Sequence, residues 1–385
     1  MFSFCNFLFF NPNKNMTKFT PRSTFPNYNI PLSNFKGHHQ KALSKVGHLA
    51  PQLDLILEVR DCRAPVATTN VLFDKLLSTK RKLILYSKKD LSILKPDLLK
   101  KWHSSKNEEF MFIDCRHRGD CKRIINKMTQ IYDNFDAKPP LGLRAMIIGM
   151  PNVGKSTLVN TMRQVGLGRE NRDSVSTKVR KVAKTGGQPG VTRSTSEIIR
   201  LSRDPDIMVY DTPGIFLPTV KSPETMLTLG LVGCIHDSYI DPVVLADYLL
   251  FLLNLQDSSG KPYEDYMSHP TNDIYELMYN ICKQRNTLKH DGSYDELGAA
   301  THWVNLWKQG KTKKYRALFD LEAIKEASES NIRDILNSER ERVGLSKVHE
   351  RIVDSFGDDG SSTTSNRKRT AKDREADMRN RLFKL

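Results

Sequence analysis

A chain of 385 residues can hold two domains with cores of their own, and its 38% hydrophobic and 27% charged residues match an ordinary soluble protein. Six cysteines without a C-x-x-C pair argue against a disulfide framework or a zinc site. The most apolar run past the N-terminal segment, residues 242–254, is broken by Asp247 and too short to cross a bilayer. The net charge of +16 sits in three clusters: residues 1–53 carry six Lys/Arg and no acid, 163–184 seven basic against two acidic, and 366–385 eight against three, which leaves the remainder neutral.

The first 25 residues lack acid and are rich in Phe, Ser, Thr and Asn, with Lys14, Lys18 and Arg22 following the apolar run. A secretory signal carries its charges before that run, so residues 1–33 read as a mitochondrial transit segment or a disordered tail. Gly37-His38 opens a short helix. LDLILEV (53–59), KLILY (82–86), FMFI (110–113), LRAMII (143–148), EIIRL (197–201) and DIMVY (206–210) read as strands, the last two as a hairpin around DPD. With helices between them, including one over 120–135, they predict an α/β domain over 34–222 around a mostly parallel sheet of about six strands. From 223 the pattern turns helical, at 224–237, 242–255, 271–283, 293–307 and 327–356, which predicts a second, all-helical domain over 223–356. A Ser/Thr/Gly/Asp-rich stretch then leads into the basic tail, giving a linker and tail over 357–385.

Residues 149–157, GMPNVGKST, follow a strand and open a helix, the context a phosphate-binding loop requires. The backbone N–H groups framed by Gly149 and Gly154, those of Asn152 and Val153 included, can wrap phosphate oxygens, with Lys155 reaching the outer phosphates. Ser156 and Thr157 stand at the helix mouth, where the Ser156 hydroxyl is a ligand for magnesium. A strand ending in DTPG (211–214) brings Asp211 within reach of the magnesium shell and the Gly214 N–H to where it can sense a γ-phosphate. Thr192, between the two motifs, is either the second hydroxyl ligand to magnesium or a plain loop threonine.

Guanine presents two adjacent donors, N1–H and N2–H₂, which a carboxylate satisfies, whereas adenine has an acceptor at N1 that repels one. Asp90, at the end of a strand, supplies such a carboxylate, and the stem of Lys88 can lie along the base plane. SKKD (87–90) resembles the NKxD signature of GTPases with Ser87 in place of Asn, a shorter side chain without the amide. That change weakens base affinity or discrimination and keeps an ATPase reading open. Asp114-Cys115 stands where a second, backbone contact to the base would fall.

The base-reading residues thus precede the phosphate loop, while Thr192 and DTPG follow it, the reverse of a Ras-like domain. Circular permutation of the Ras-like fold accounts for this order, and it makes the DTPG segment lead directly into the helical domain. The motif order, the early Gly37-His38 and GLVGCIHD (230–237) resemble the circularly permuted ribosome-assembly GTPases of the YlqF/RbgA type and their mitochondrial large-subunit counterparts, over residues 34–255. The resemblance implies a P-loop GTPase that takes GTP, GDP and Mg²⁺, binds the immature mitochondrial large ribosomal subunit and its rRNA, and is released on hydrolysis in support of mitochondrial translation. It implies a monomer in the matrix, peripheral to the inner membrane. The three basic clusters agree with a polyanionic partner, RNA above all.

Ile215 follows DTPG where Ras-like enzymes have the glutamine that orients the attacking water. The resemblance carries that role to His38, because GHHQKA (37–42) matches a family GHMxKA segment at Gly37, His38, Lys41 and Ala42; a structural or RNA-contacting His38 is the alternative. Asn152 matches the asparagine that helps hold a potassium ion in potassium-activated relatives. A reading from a different class stands beside this one: an RNA-binding assembly factor in which nucleotide is mainly structural.

Overall fold

The computed structural model describes residues 19–104, 108–167, 198–312 and 315–326. Thr192, the basic cluster beyond residue 167, the helix expected over 327–356, the tail and residues 1–18 lie outside the described residues.

Six strands, β1 (Leu55–Asp61), β2 (Arg81–Ser87), β3 (Glu109–Phe112), β4 (Leu143–Ile148), β5 (Ile198–Arg203) and β6 (Asp206–Asp211), form one sheet in the order β3-β2-β1-β4-β6-β5. β1, β2, β3, β4 and β6 are parallel, and β5 is the antiparallel edge of its hairpin with β6. Counted from β4, the strand before the phosphate loop, the spatial order becomes 6-5-4-1-3-2, a Ras-like sheet cut open and rejoined. The burial pattern follows position. β1 is buried at all seven residues because helices cover both faces, whereas β5 at the rim alternates over its first four residues, with Ile199 and Leu201 turned inward.

Helices α1 (Gly37–Leu49), α2 (Leu72–Leu76), α3 (Pro96–Ser104), α4 (Arg118–Asp133) and α5 (Lys155–Leu167) accompany the sheet. Alternate residues of β2 separate two layers. Leu83 and Leu85 join the main core with Cys121, Ile124 and Met128 of α4, while Ile84 and Tyr86 join a smaller core with Leu99 and Trp102 of α3.

The helical part consists of α6 (Pro223–Leu231), α7 (Pro242–Gln256), α8 (Ile274–Arg285) and α9 (Glu296–Gln309). Ser222, Asp241, Asp273 and Asp295 cap these helices by accepting backbone N–H groups of the first turn. The helix expected over 224–237 stops at Leu231 because Gly233 turns left-handed (φ 78°) and the Cys234 N–H caps the Leu229 carbonyl at 2.8 Å. The apolar run 242–254 is a buried helix, as its interruption by Asp247 suggested, and no helix among the described residues is long and apolar enough to cross a membrane.

Both ends of the described chain cross the expected domain boundaries. Residues 19–33, grouped by sequence with a transit or disordered segment, run along the helical part. There Arg22 forks onto the Asp247 carboxylate at 2.6 and 3.1 Å and Phe25 packs on Tyr248 and Phe251. At the other end the segment 315–326, with α10 (Leu321–Glu326), returns from α9 to the sheet. Leu318 and Ala323 complete the smaller core, and the Asp320 carboxylate accepts the N–H groups of Val66 and Ala67 at 2.8 and 2.9 Å. Cys62, Cys115, Cys121, Cys234 and Cys282 are buried, unbridged thiols.

Candidate nucleotide site

Parallel strands deliver their carboxyl ends to one edge of the sheet, which is where open α/β sheets bind ligands. β4 runs into the phosphate loop, where Gly149, Asn152 and Gly154 take φ values of 145°, 57° and 105°. Lys155 is buried at the start of α5 and donates across the loop to the Met150 carbonyl at 2.7 Å. Burial draws its ammonium down to about 8, against the pull of the Asp211 carboxylate. The Ser156 hydroxyl donates to Asp211 Oδ2 at 3.1 Å, and burial pushes the Asp211 carboxyl above the usual range while Lys155 and Ser156 oppose it. Lys155, Ser156 and Asp211 therefore meet at the loop mouth, with Thr157 half-buried beside them in the first turn of α5.

The DTPG segment lies directly on the loop. The Thr212 hydroxyl donates to the Ile147 carbonyl at 2.6 Å and the Ile215 N–H to the Gly149 carbonyl at 3.3 Å. A Cβ on Gly214 would lie 2.4 Å from Pro151 Cα, so only glycine permits this approach. The Ile215 side chain is fully buried in the core, and being apolar it has no group with which to orient a water.

α1 brings two histidines to this segment. His39 is buried, and its Nδ1 lies 3.2 Å from both the Gly214 carbonyl oxygen and the Phe216 amide nitrogen; a neutral ring serves one of them, donating to the carbonyl or accepting from the N–H. Burial, and then the nearby His38, draw it down to about 4 although the Gly214 carbonyl pulls the other way, so the ring is neutral at physiological pH. His38 is half-buried with its ring centroid 4.0 Å from that of His39. Sequence reasoning singled out His38; its neighbour His39 bonds the DTPG turn.

On the other side of the loop, Ser87 is fully buried with its hydroxyl 2.6 Å from the Val153 carbonyl and 3.0 Å from that of Arg60. It ties the end of β2 to the phosphate loop. Lys88, in the left-handed region (φ 55°), donates to Asp61 Oδ2 at 2.7 Å and to the Asn152 carbonyl at 3.1 Å. Asp90 is exposed in the turn that follows. The Lys89 N–H donates to the Ile113 carbonyl at 3.3 Å, which sets the Asp90 turn beside Asp114-Cys115. The Asp114 N–H is taken by the Asp120 carboxylate at 2.8 Å, and the buried Cys115 thiol, pushed up by burial, sits 3.0 Å from the point a Gly154 Cβ would occupy. The Asn152 side chain donates to the Gly233 carbonyl at 2.9 Å, joining the loop to the helical part.

Asp61 and Arg63 escaped the sequence reading. Asp61, at the end of β1, accepts the Arg63 N–H and Nε at 2.9 and 3.0 Å through Oδ1, and Arg63 Nη2 at 2.9 Å and Lys88 through Oδ2. Although burial works against it, this cationic surround holds the carboxyl well below the usual range. The signal that would have found them is a run of charges, Glu58, Arg60 and Asp61 within the apolar strand β1 and Arg63 just past its end, because buried charges require partners.

Residues 144–280 match the family described as 50S ribosome-binding GTPase. A GNP-bound YlqF structure from T. maritima is 20% identical and covers 70% of this chain and 94% of its own, with a TM-score of 0.46. Mitochondrial ribosome-associated GTPase 1 of Xenopus tropicalis is 32% identical over 254 residues, 64% of this chain and 78% of that protein. Mitochondrial GTPase 1 of Saccharomyces cerevisiae is 38% identical over 351 residues, 86% of this chain and 91% of its own length. Likeness of that extent runs through the permuted sheet, the loop and the helical part together, and the chain belongs to the mitochondrial GTPase 1 family.

Proposed function

We propose that the chain is a GTP-hydrolysing assembly factor that binds the immature mitochondrial large ribosomal subunit and its rRNA from the matrix side, as a monomer peripheral to the inner membrane, and is released on hydrolysis. The observation that supports this best is the convergence at one sheet edge of the phosphate loop, the DTPG turn packed on it and the exposed Asp90 carboxylate beside Asp114-Cys115. The ribosome-associated names of the relatives support the partner.

In this reading Lys155 and the loop N–H groups hold the phosphates, and Lys88 and Asp90 hold the base. Ser156 and Asp211, with side-chain oxygens 3.1 Å apart, fit a hard cation such as magnesium, with Thr192 as a further oxygen ligand. Magnesium, when bound, would neutralise charge on the phosphate oxygens. Asn152 commits its amide nitrogen to Gly233, so a potassium role rests on its amide oxygen. His38 positions the water, and His39 ties α1, and with it His38, to the turn that carries Gly214.

The burial of Ile215 favours a second reading, an RNA-binding factor with structural nucleotide and little turnover. Single-turnover GTP hydrolysis with and without large subunits separates the two. The expected result is stimulation by subunits that His38→Ala abolishes while GTP binding survives. Equal rates with and without subunits would leave the structural-nucleotide reading in place, and normal stimulation of His38→Ala would remove His38 from the chemistry.

A further inference from the structure

We infer that Arg63 is a positioning residue through which the helical part sets the geometry of the base-reading turn, so that nucleotide affinity and the state of the helical part are coupled at the base as well as at the DTPG turn. The inference rests on the nucleotide reading of the site.

Arg63 is 1% exposed and commits every part of its side chain. Nε and Nη2 hold the two oxygens of Asp61, whose Oδ2 in turn holds Lys88. Nη1 reaches the other way, to the carbonyls of Trp307 and Lys308 in the last turn of α9 at 3.1 and 3.0 Å. A helix C-terminus carries partial negative charge, and its carbonyls have lone pairs to spare even where, as at Trp307, the Gly310 N–H already bonds one, so a guanidinium there adds to the cap while it neutralises Asp61. The Phe319 ring lies 5.5 Å from the guanidinium carbon, and the Phe319 N–H donates to the Arg63 carbonyl at 2.6 Å. Arg63 is therefore clasped between α9 and the segment 315–326, both beyond the DTPG segment in the chain.

The same two segments press on the turn that carries Asp90. Gly310, just past α9, packs so closely on Leu91 that an added Cβ would lie 2.2 Å from Leu91 Cδ2, and the Ala317 N–H donates to the Leu91 carbonyl at 3.3 Å. Lys88 and Leu91 thus flank Asp90, the first held through Asp61 and Arg63, the second held directly. A rearrangement at the end of α9 must disturb the fork of Arg63, and with it the Lys88 ammonium that also bonds the Asn152 carbonyl of the phosphate loop. Lysine cannot replace this arginine, because its donors all sit on one nitrogen, whereas the guanidinium spreads them over two edges, one facing the Asp61 carboxylate and one the carbonyls of α9.

The test is hydrogen–deuterium exchange on the full chain with and without GDP, combined with GDP affinities of the wild type and Arg63→Lys. The expected result is that GDP slows exchange in the wild type both at 149–157 and at 305–320. In the variant it slows only 149–157, and Kd rises by about tenfold, a common size for a coupling between sites. A wild type in which GDP protects 149–157 but leaves 305–320 unchanged would overturn the inference and keep the nucleotide reading. A variant that binds GDP within about twofold of wild type and keeps the distal protection would do the same. Failure of the wild type to bind GDP would remove the nucleotide reading and the inference with it.

Discussion

Asp90 and Ser87 share a short motif and have opposite environments. Ser87 is fully buried with its hydroxyl spent on the Val153 and Arg60 carbonyls, whereas the Asp90 carboxylate, three residues on, is exposed beside Asp114-Cys115. The substitution of serine for asparagine in the NKxD-like motif therefore falls on the residue that ties β2 to the phosphate loop, and the residue that can read a base edge is intact. In the proposed reading, discrimination then resides in Asp90. An amide in its place would present either a donor to guanine N1–H, which repels it, or a single acceptor where two are useful. Asp90→Asn is expected to weaken GTP binding by about 3 kcal/mol, on the order of a hundredfold in Kd, the scale of two hydrogen bonds to a charged group. Xanthosine triphosphate, with an acceptor at C2, should bind this variant better than it binds the wild type. Fluorescence titration with both nucleotides measures this, and unchanged GTP affinity would exclude Asp90 as the base reader.

Elements were legible in the sequence where one physical signal dominated. All six strands were, because the inner four are largely buried and read as apolar runs, the half-buried edge strand β3 is an aromatic-rich apolar run, and the other edge strand β5 is joined to its partner by a turn at Asp204-Pro205. The phosphate loop and DTPG were legible because their chemistry requires particular residues at particular spacings. Short helices such as α2 and α3 were not, since they are too brief for periodicity to show, and neither was the segment 315–326, whose placement depends on Asp320 and Phe319 meeting residues 63–67 far away in the chain. The His39 contact was equally invisible, as nothing local distinguishes it from His38. The end of α6 shows a local signal outvoted by a pattern: apolar periodicity carries on to 237, but Gly233 takes φ 78° and the helix stops. No atom lies within 4 Å of the position a Cβ would take there. Gly233→Ala should therefore cost only backbone strain, about 1 kcal/mol. A loss well beyond that, measured as a urea midpoint shift, would mean that the Asn152 bond to the Gly233 carbonyl had been broken as well.

At the scale of the molecule, two joints between segments distant in the chain contain buried titratable groups whose pH responses oppose each other. Burial pushes the Asp320 carboxyl, clasped on the Val66 and Ala67 N–H groups, up to about 7, with Glu322 adding to the rise and Lys221 opposing it. His39, between α1 and the DTPG turn, is drawn down to about 4. For Asp320 the folded chain holds more protons than the unfolded chain between the ordinary carboxylate value of 3.8 and about 7, so its contribution to stability falls as pH rises through that window. For His39 the unfolded chain holds more protons between about 4 and the ordinary 6.5, so its contribution rises over almost the same window. Each effect is on the order of 3 kcal/mol, and from about pH 4.5 to 6.5 the two largely offset each other. Asp211, also pushed up by burial, adds to the falling limb. Asp320→Asn retains an acceptor oxygen for both N–H groups and removes its falling contribution. Its urea midpoint should climb relative to that of the wild type between about pH 4.5 and 6.5, and above about pH 7 it should exceed the wild type because no charge is buried at this joint. A variant whose profile runs parallel to the wild type throughout would show that Asp320 ionises like an exposed carboxylate, and that the return of the chain onto the sheet is not held by a buried proton.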